Sequence, residues 1–153
     1  MKQDVSNEQP SQQAQRLAEQ ITDVLYAQDR ASKALGIRID ETRPGYARAT
    51  MVVRPDMTNG HRIAHGGLVF TLADTAFAFA CNSHNESNVA ASASIDFLAP
   101  SHEGDELTAV ATELWRSGRS GIYEITVTNQ KGTRIALFRG RSARIAGQVV
   151  SVD

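Results

Sequence analysis

The sequence predicts an α+β fold, a long curved antiparallel sheet packed against one apolar helix, and three observations carry that prediction. The stretch Leu68–Cys81 is apolar on nearly every side, which is how a helix buried against a sheet reads. Four strand-like runs follow it, joined by short connections that favour antiparallel pairing. The chain has 153 residues and 41% hydrophobic content, the size and composition of one globular domain.

Residues 1–13 are rich in Gln, Ser and Asn and lack periodicity, so they are expected to form a flexible tail ahead of a single domain over residues 14–148. From about Gln12 to Leu35, Leu17, Ile21, Val24, Leu25 and Leu35 follow helical spacing, and Gly36 is a natural stop. Asp29 or Ser32 can restart a second short turn, so this stretch reads as one helix or two. Ile37–Arg43 and Tyr46–Arg54 read as strands joined at Pro44-Gly45. A loop over residues 55–65 opens on Gly66-Gly67 and the apolar helix. Beyond it Val89, Ala91, Ala93, Ile95 and Phe97 alternate with Ala90, Ser92, Ser94 and Asp96, the period of a strand that Pro100 ends. Three more strands are expected at about Glu106–Arg116, Gly121–Thr128 and Arg134–Ile145, with turns at Ser117-Gly118 and Asn129–Gly132.

Several function classes are disfavoured at once. A net charge of −1 gives no electrostatic reason to expect nucleic acid or an anionic membrane as partner, although Arg134, Arg139, Arg141 and Arg144 cluster locally. The apolar stretch is too short to span a bilayer and contains Asp74. Residues 1–13 have no apolar segment of a secretory signal. Cys81 is the one cysteine, which excludes an intramolecular disulfide and fits a cytoplasmic protein.

Chemistry is concentrated in the apolar helix. A carboxylate there is costly to bury without a partner, and such positions are often functional. The plainer alternative is that Asp74 lies on a wet edge or is satisfied by the Thr75 hydroxyl. His65-Gly66-Gly67 opens the same helix, where unpaired N–H groups carry partial positive charge and two glycines admit a substrate to the backbone. That suits an oxyanion hole; it also suits a tight loop-to-helix entry. Gly66 and Asp74 are eight residues apart, about 12 Å of helical rise. Both groups need to be near 3 Å from one reacting centre. If both act on the same carbonyl, they therefore come from different chains, as two antiparallel helices in a symmetric dimer would allow.

Other residues carry weaker signals. His61 and His65 are four apart but lack a third ligand, so no metal is expected. Cys81 reads as a small core residue, and His84 is poorly spaced to activate it. Arg116, Arg119, Arg139 and Arg141 suit either phosphate contacts or solvated strand faces. Phe70, Phe77, Phe79 and Trp115 suit either an aromatic-lined pocket or the core.

The combination Asn59-Gly60-His61, His65-Gly66-Gly67, Leu72–Phe77 and Ala80–Ser83 closely resembles the hotdog-fold thioesterases of phenylacetic acid degradation, the PaaI type. The resemblance continues through Ser94–Leu98 and Ala136–Gly140 and covers about residues 22–148. It implies a hotdog fold assembled as a homodimer and usually a homotetramer, with no cofactor. It also implies hydrolysis of acyl-coenzyme A, often with an aromatic acyl group. Position by position it implies Asp74 as the catalytic carboxylate, either nucleophile or general base. Gly66 is implied as the oxyanion-hole amide with His65 beside it, Asn59 as a loop residue placing substrate or water, Thr75 as support for the carboxylate, and Phe77 as a pocket residue. Arg62-Ile63-Ala64 and Ala99 depart from the family pattern and bear on the substrate pocket and on binding of the coenzyme A phosphates. The rival readings are a hotdog hydratase or dehydratase, which pairs His with an acid, and a non-catalytic acyl-CoA binding module.

Overall fold

The computed structural model describes residues 10–152, and residues 1–9 of the expected tail lie outside them. Helix α1 (Gln12–Gln28) begins two residues inside the span expected as tail. The reason is local: Ser11 caps the helix by accepting the Ala14 N–H at 3.1 Å. Asp29 ends α1 and caps α2 (Arg30–Ala34), its carboxylate accepting from the Ser32 N–H at 3.0 Å and the Ser32 hydroxyl at 2.6 Å. The N-terminal stretch is therefore two helices hinged on one aspartate.

Strands β1 (Arg38–Arg43) and β2 (Tyr46–Val52) form a hairpin at Pro44-Gly45, where Gly45 has φ of 73°. A single 3₁₀ turn (Pro55–Met57) leads to α3 (Gly66–Asn82). Strands β3 (Asn88–Phe97), β4 (Glu106–Ser117), β5 (Ser120–Thr128) and β6 (Arg134–Arg144) complete one antiparallel six-stranded sheet in the order β1-β2-β4-β5-β6-β3. Helix α3 packs against every strand. This is the hotdog arrangement of a central helix in a wrapped sheet.

The helix can sit this deep because the concave face is built from small residues where it presses hardest. Ala47 and Ala49 of β2 and Ala109 and Ala111 of β4 are fully buried. Larger neighbours, Leu107, Ile125, Val127 and Phe138, close the remaining volume. Opposite Phe77, a Cβ on Gly140 would stand 2.8 Å from the ring, so only glycine lets Phe77 reach the sheet.

Strand β3 alternates in sequence, yet its burial does not. Almost every residue from Val89 to Phe97 is exposed, on both faces. Among the described residues the strand pairs only with β6, so its outer edge is open, while α3 gives its inner face partial cover at Ile95 and Phe97. At the C-terminal end, Asn85 clasps Val150 through two 2.9 Å bonds, Nδ2 to the Val150 carbonyl and Oδ1 from its N–H. The ordered chain thus runs past the boundary expected at residue 148.

Candidate active site

The entry to α3 leaves one backbone donor free. His65 is the N-cap; its Nδ1 accepts the Gly67 N–H at 3.0 Å, and its carbonyl accepts from Leu68 and Val69 at 2.9 and 3.3 Å. Among the described residues, nothing accepts the Gly66 N–H. The helix dipole therefore ends on a single unsatisfied donor, with His65 ordering its neighbours. Side-chain acceptance at Nδ1 puts the proton of a neutral His65 ring on Nε2.

The preceding loop is knotted by Asn59. Its Oδ1 accepts from the N–H groups of His61 (2.9 Å) and Ile63 (3.4 Å), and its backbone N–H and carbonyl bond Ile63 and Arg62, both at 2.9 Å. Arg62 takes a left-handed φ of 61° at the turn. Two backbone bonds dock the loop: His65 N–H to the Met57 carbonyl, and Ala64 N–H to the Ser101 carbonyl, each at 2.8 Å.

Gly66 and Asn59 open on a common cavity of about 440 Å³. Ile63, Val69, Leu98 and Ile135 give it apolar walls, and Phe97 leans over Gly66, its ring 3.0 Å from where a Cβ would be. Phe97 and Leu98 are themselves about half exposed. A largely apolar cavity with one free N–H in its lining can seat a carbonyl and hold negative charge that develops on its oxygen.

Asp74 lies elsewhere in the protomer. Beyond the first turn of α3, Phe70, Thr71, Asp74 and Ala78 escape burial, at the three- and four-residue spacings that continue the stripe from Gly67. They form one stripe that the chain's own sheet leaves uncovered. Asp74 is half-buried there, and burial raises its carboxyl above the ordinary value of 3.8. No described residue donates a hydrogen bond or ion pair to it. The support expected from Thr75 is not made within the protomer. One position on, Thr75 turns inward, donates to the Thr71 carbonyl at 2.8 Å and meets the Ser32 hydroxyl at 3.2 Å. It pins α3 to α2 instead.

The remaining candidates separate by burial. Burial first, then the nearby Asp74 charge, push the Cys81 thiol up to about 12, which keeps it a neutral core group. Phe77 is buried in the core beside Tyr123 and Phe138, with centroids 5.4 and 6.0 Å away, and does not line the cavity. Phe79 is also core, Phe70 packs edge-on against Phe138 at 5.0 Å, and Trp115 is exposed. Arg116 and Arg144 are bound to Glu86 at 3.3 and 3.2 Å, whereas Arg139 and Arg141 are exposed on β6. His61 is exposed, and no group of three or more His, Cys, Asp or Glu gathers among the described residues. No helix among them is long and apolar enough to cross a membrane.

Two features escaped the sequence reading. One is the cavity wall from Phe97 to Ser101, whose signal was an apolar pair running into Ala99-Pro100. The other is a polar knot beyond the C-terminal end of α3, where Glu113 accepts from the Tyr123 hydroxyl at 2.6 Å and His84 Nε2 at 2.9 Å. Bulged pairing of β4 with β5 beside Glu113 brings it there, and short-range spacing gives no warning of that.

Comparison with known proteins is direct. Residues 61–136 match the model of the thioesterase superfamily. The chain is 47% identical to acyl-coenzyme A thioesterase PaaI of Escherichia coli (strain K12), over 82% of this chain and 89% of the relative. The chain is a PaaI-type member of the thioesterase superfamily. The solved structure of the E. coli PaaI protein, from the phenylacetic acid degradation operon, superposes with a TM-score of 0.87 at 45% identity, covering 88% of this chain and 98% of that one. The phenylacetic acid degradation protein PaaI of Thermus thermophilus, solved as a point mutant, gives 0.74 at 36% identity, over 76% and 100%. A thioesterase protein of Streptococcus pneumoniae TIGR4, solved with coenzyme A, gives 0.69 at 25% identity, over 73% and 90%. For this thioesterase, the matched span contains Gly66, Asp74 and the cavity wall at Phe97–Ser101.

Proposed function

We propose that the protein hydrolyses acyl-coenzyme A thioesters, including arylacetyl ones, in active sites shared between two copies of the chain. The observation that carries this reading is the pairing of one free N–H at Gly66 with a partnerless, half-buried carboxylate on the uncovered stripe of the same helix. Eight residues of helix, about 12 Å, keep the two from acting together within a protomer. A second α3 laid antiparallel along the Gly67–Ala78 stripe brings each Asp74 to the other Gly66, and edge pairing of β3 with its copy supplies the exposed strand with a partner. Dimers of this kind pair further into a tetramer, as the family resemblance implies. The buried thiol of Cys81 suits the reducing cytoplasm.

In this arrangement the thioester oxygen sits on the Gly66 N–H at the positive end of α3. His65 fixes the neighbouring N–H groups, and Asn59 holds the loop and offers its amide to substrate or water. The ionised Asp74 of the other copy then either attacks the carbonyl carbon, giving an anhydride that water opens, or takes a proton from an attacking water. Either way the tetrahedral oxyanion collapses with expulsion of the thiolate of coenzyme A, which leaves as the free thiol, and the acid is released.

The test is thiol release from a panel of acyl-CoAs by wild type and Asp74→Asn. Wild-type turnover on arylacetyl-CoA and none in the variant is the expected result. Near-normal turnover in the variant overturns the assignment of Asp74. Label from H₂¹⁸O in the protein carboxylate after one turnover identifies the anhydride route.

A further inference from the structure

Ser101 follows Pro100 in the wall of the cavity that Gly66 closes, and it is 2% exposed. Its hydroxyl is buried without a hydrogen-bond partner among the described residues. Buried hydroxyls are nearly always paired, because leaving one unpaired forfeits its bonds to water. The backbone at this position is fixed, since the Ser101 carbonyl accepts the Ala64 N–H at 2.8 Å, two residues ahead of Gly66. The unpaired hydroxyl is thus held in register with the free N–H at the start of a 17-residue helix. Besides Asn59, the largely apolar lining thus holds two unsatisfied polar groups, which suits a ligand with polar groups along its length.

We propose that the Ser101 hydroxyl is a substrate-positioning group that hydrogen-bonds an amide of the arm joining the thioester sulfur to the rest of coenzyme A. This rests on the thioesterase reading above and adds to it a residue and the part of the substrate that residue holds. The thioester carbonyl takes the Gly66 N–H, and an amide farther along the chain takes the hydroxyl. An amide presents both N–H and C=O, matching a hydroxyl that both donates and accepts. It is also common to every acyl-CoA, whereas a polar group on the acid is not. Phe97 and Leu98 line the same cavity and are about half exposed, so their side chains can shift as the arm enters.

The experiment compares wild type with Ser101→Ala and the near-isosteric Ser101→Cys. Calorimetric titration with a non-hydrolysable acyl-CoA thioether should show Kd raised about 3- to 10-fold in both variants, the worth of one hydrogen bond. Thiol release from the corresponding acyl-CoA should show KM raised to match with kcat unchanged. The ethanethiol thioester of the same acid, which lacks the arm, should be cleaved equally by all three proteins. Melting temperatures should be equal or slightly higher in the variants, because the hydroxyl has no partner to lose in the free protein. Unchanged Kd, an equal loss on the ethanethiol thioester, a loss seen only with hydroxylated acyl groups, or a lowered melting temperature each overturns the proposal. The thioether arm reads Ser101 even if Asp74 proves not to be the catalytic group, so the two readings fail separately.

Discussion

Removal of the Glu113 carboxylate tests whether the knot beyond α3 is a structural tie. Glu113 Oε2 accepts from Tyr123, whose side chain is 1% exposed, and from His84, two residues past the end of the helix. Next to this pair, Ser83 accepts the Gly45 N–H at 2.7 Å and donates to the Ala80 carbonyl at 2.7 Å, fastening the helix end to the β1–β2 turn. In Glu113→Ala the Tyr123 hydroxyl loses its partner while staying buried. Loss of one charge-assisted bond to a buried group, with a second between partly buried side chains, costs about 2–4 kcal/mol. For a domain of this size that is roughly 5–15 °C of melting temperature. Tyr123→Phe placed on top should recover part of the loss, giving a coupling of about 1–2 kcal/mol in the double-mutant cycle. Urea melts of the four proteins measure it. Strict additivity, or a single-variant loss under about 0.5 kcal/mol, refutes the tie. The pH dependence has a fixed sign. Burial alone would raise Glu113, but the bonds from His84 and Tyr123 and the Arg116 charge outweigh it and hold the carboxyl below 4.5. The unfolded chain then binds the extra proton, so this stability is fully present above pH 4.5 and is lost as pH falls through the lowered folded value. The gap between wild type and Glu113→Gln should close over that acid range.

Three further outcomes are expected. Gly66→Ala places a methyl 3.0 Å from the Phe97 ring; the half-exposed ring can swing away, so the fold should hold while kcat/KM falls at least about tenfold as the approach to the N–H is crowded. Phe77→Leu should cost about 1–2 kcal/mol in urea melts and leave the ratio of aryl to alkyl acyl-CoA turnover unchanged, since the ring is core; a changed ratio would return Phe77 to the pocket. Burial raises Asp74, so the acid limb of the kcat/KM profile should fall above 3.8, and Asp74→Asn should melt higher than wild type at neutral pH, because ionising the raised carboxyl weakens the fold as pH climbs through that window.

Much of the architecture was legible because periodicity and turn chemistry are local. The Asp29 restart, the Pro44-Gly45 hairpin and the start of the central helix at Gly66 all stand where short-range signals put them. The free N–H at Gly66 was legible too, since a Gly-Gly helix entry announces an open terminus. Thr75 was not: its neighbour relation to Asp74 in sequence hides a turn of about 100° that sends its hydroxyl to Ser32. Phe77 likewise carried a motif, but only the opposing Gly140, on a strand far along the chain, shows that its ring belongs to the core. The Ser101 hydroxyl and the Glu113 knot depend on tertiary contacts between loop and strand ends, which no window of sequence contains.

The open strand β3 has a consequence for how the protein must be handled and made. Its ten residues contain one charged side chain, Asp96, and no proline or lysine, the usual devices that keep an edge from recruiting other chains. A freshly folded single copy is therefore adhesive along a whole edge until that edge is occupied. Its melting temperature should climb with protein concentration rather than stay fixed, because mass action favours the copy whose edge is occupied. Survival of this chain in the cell becomes a race between meeting its own kind and meeting anything else with a free backbone.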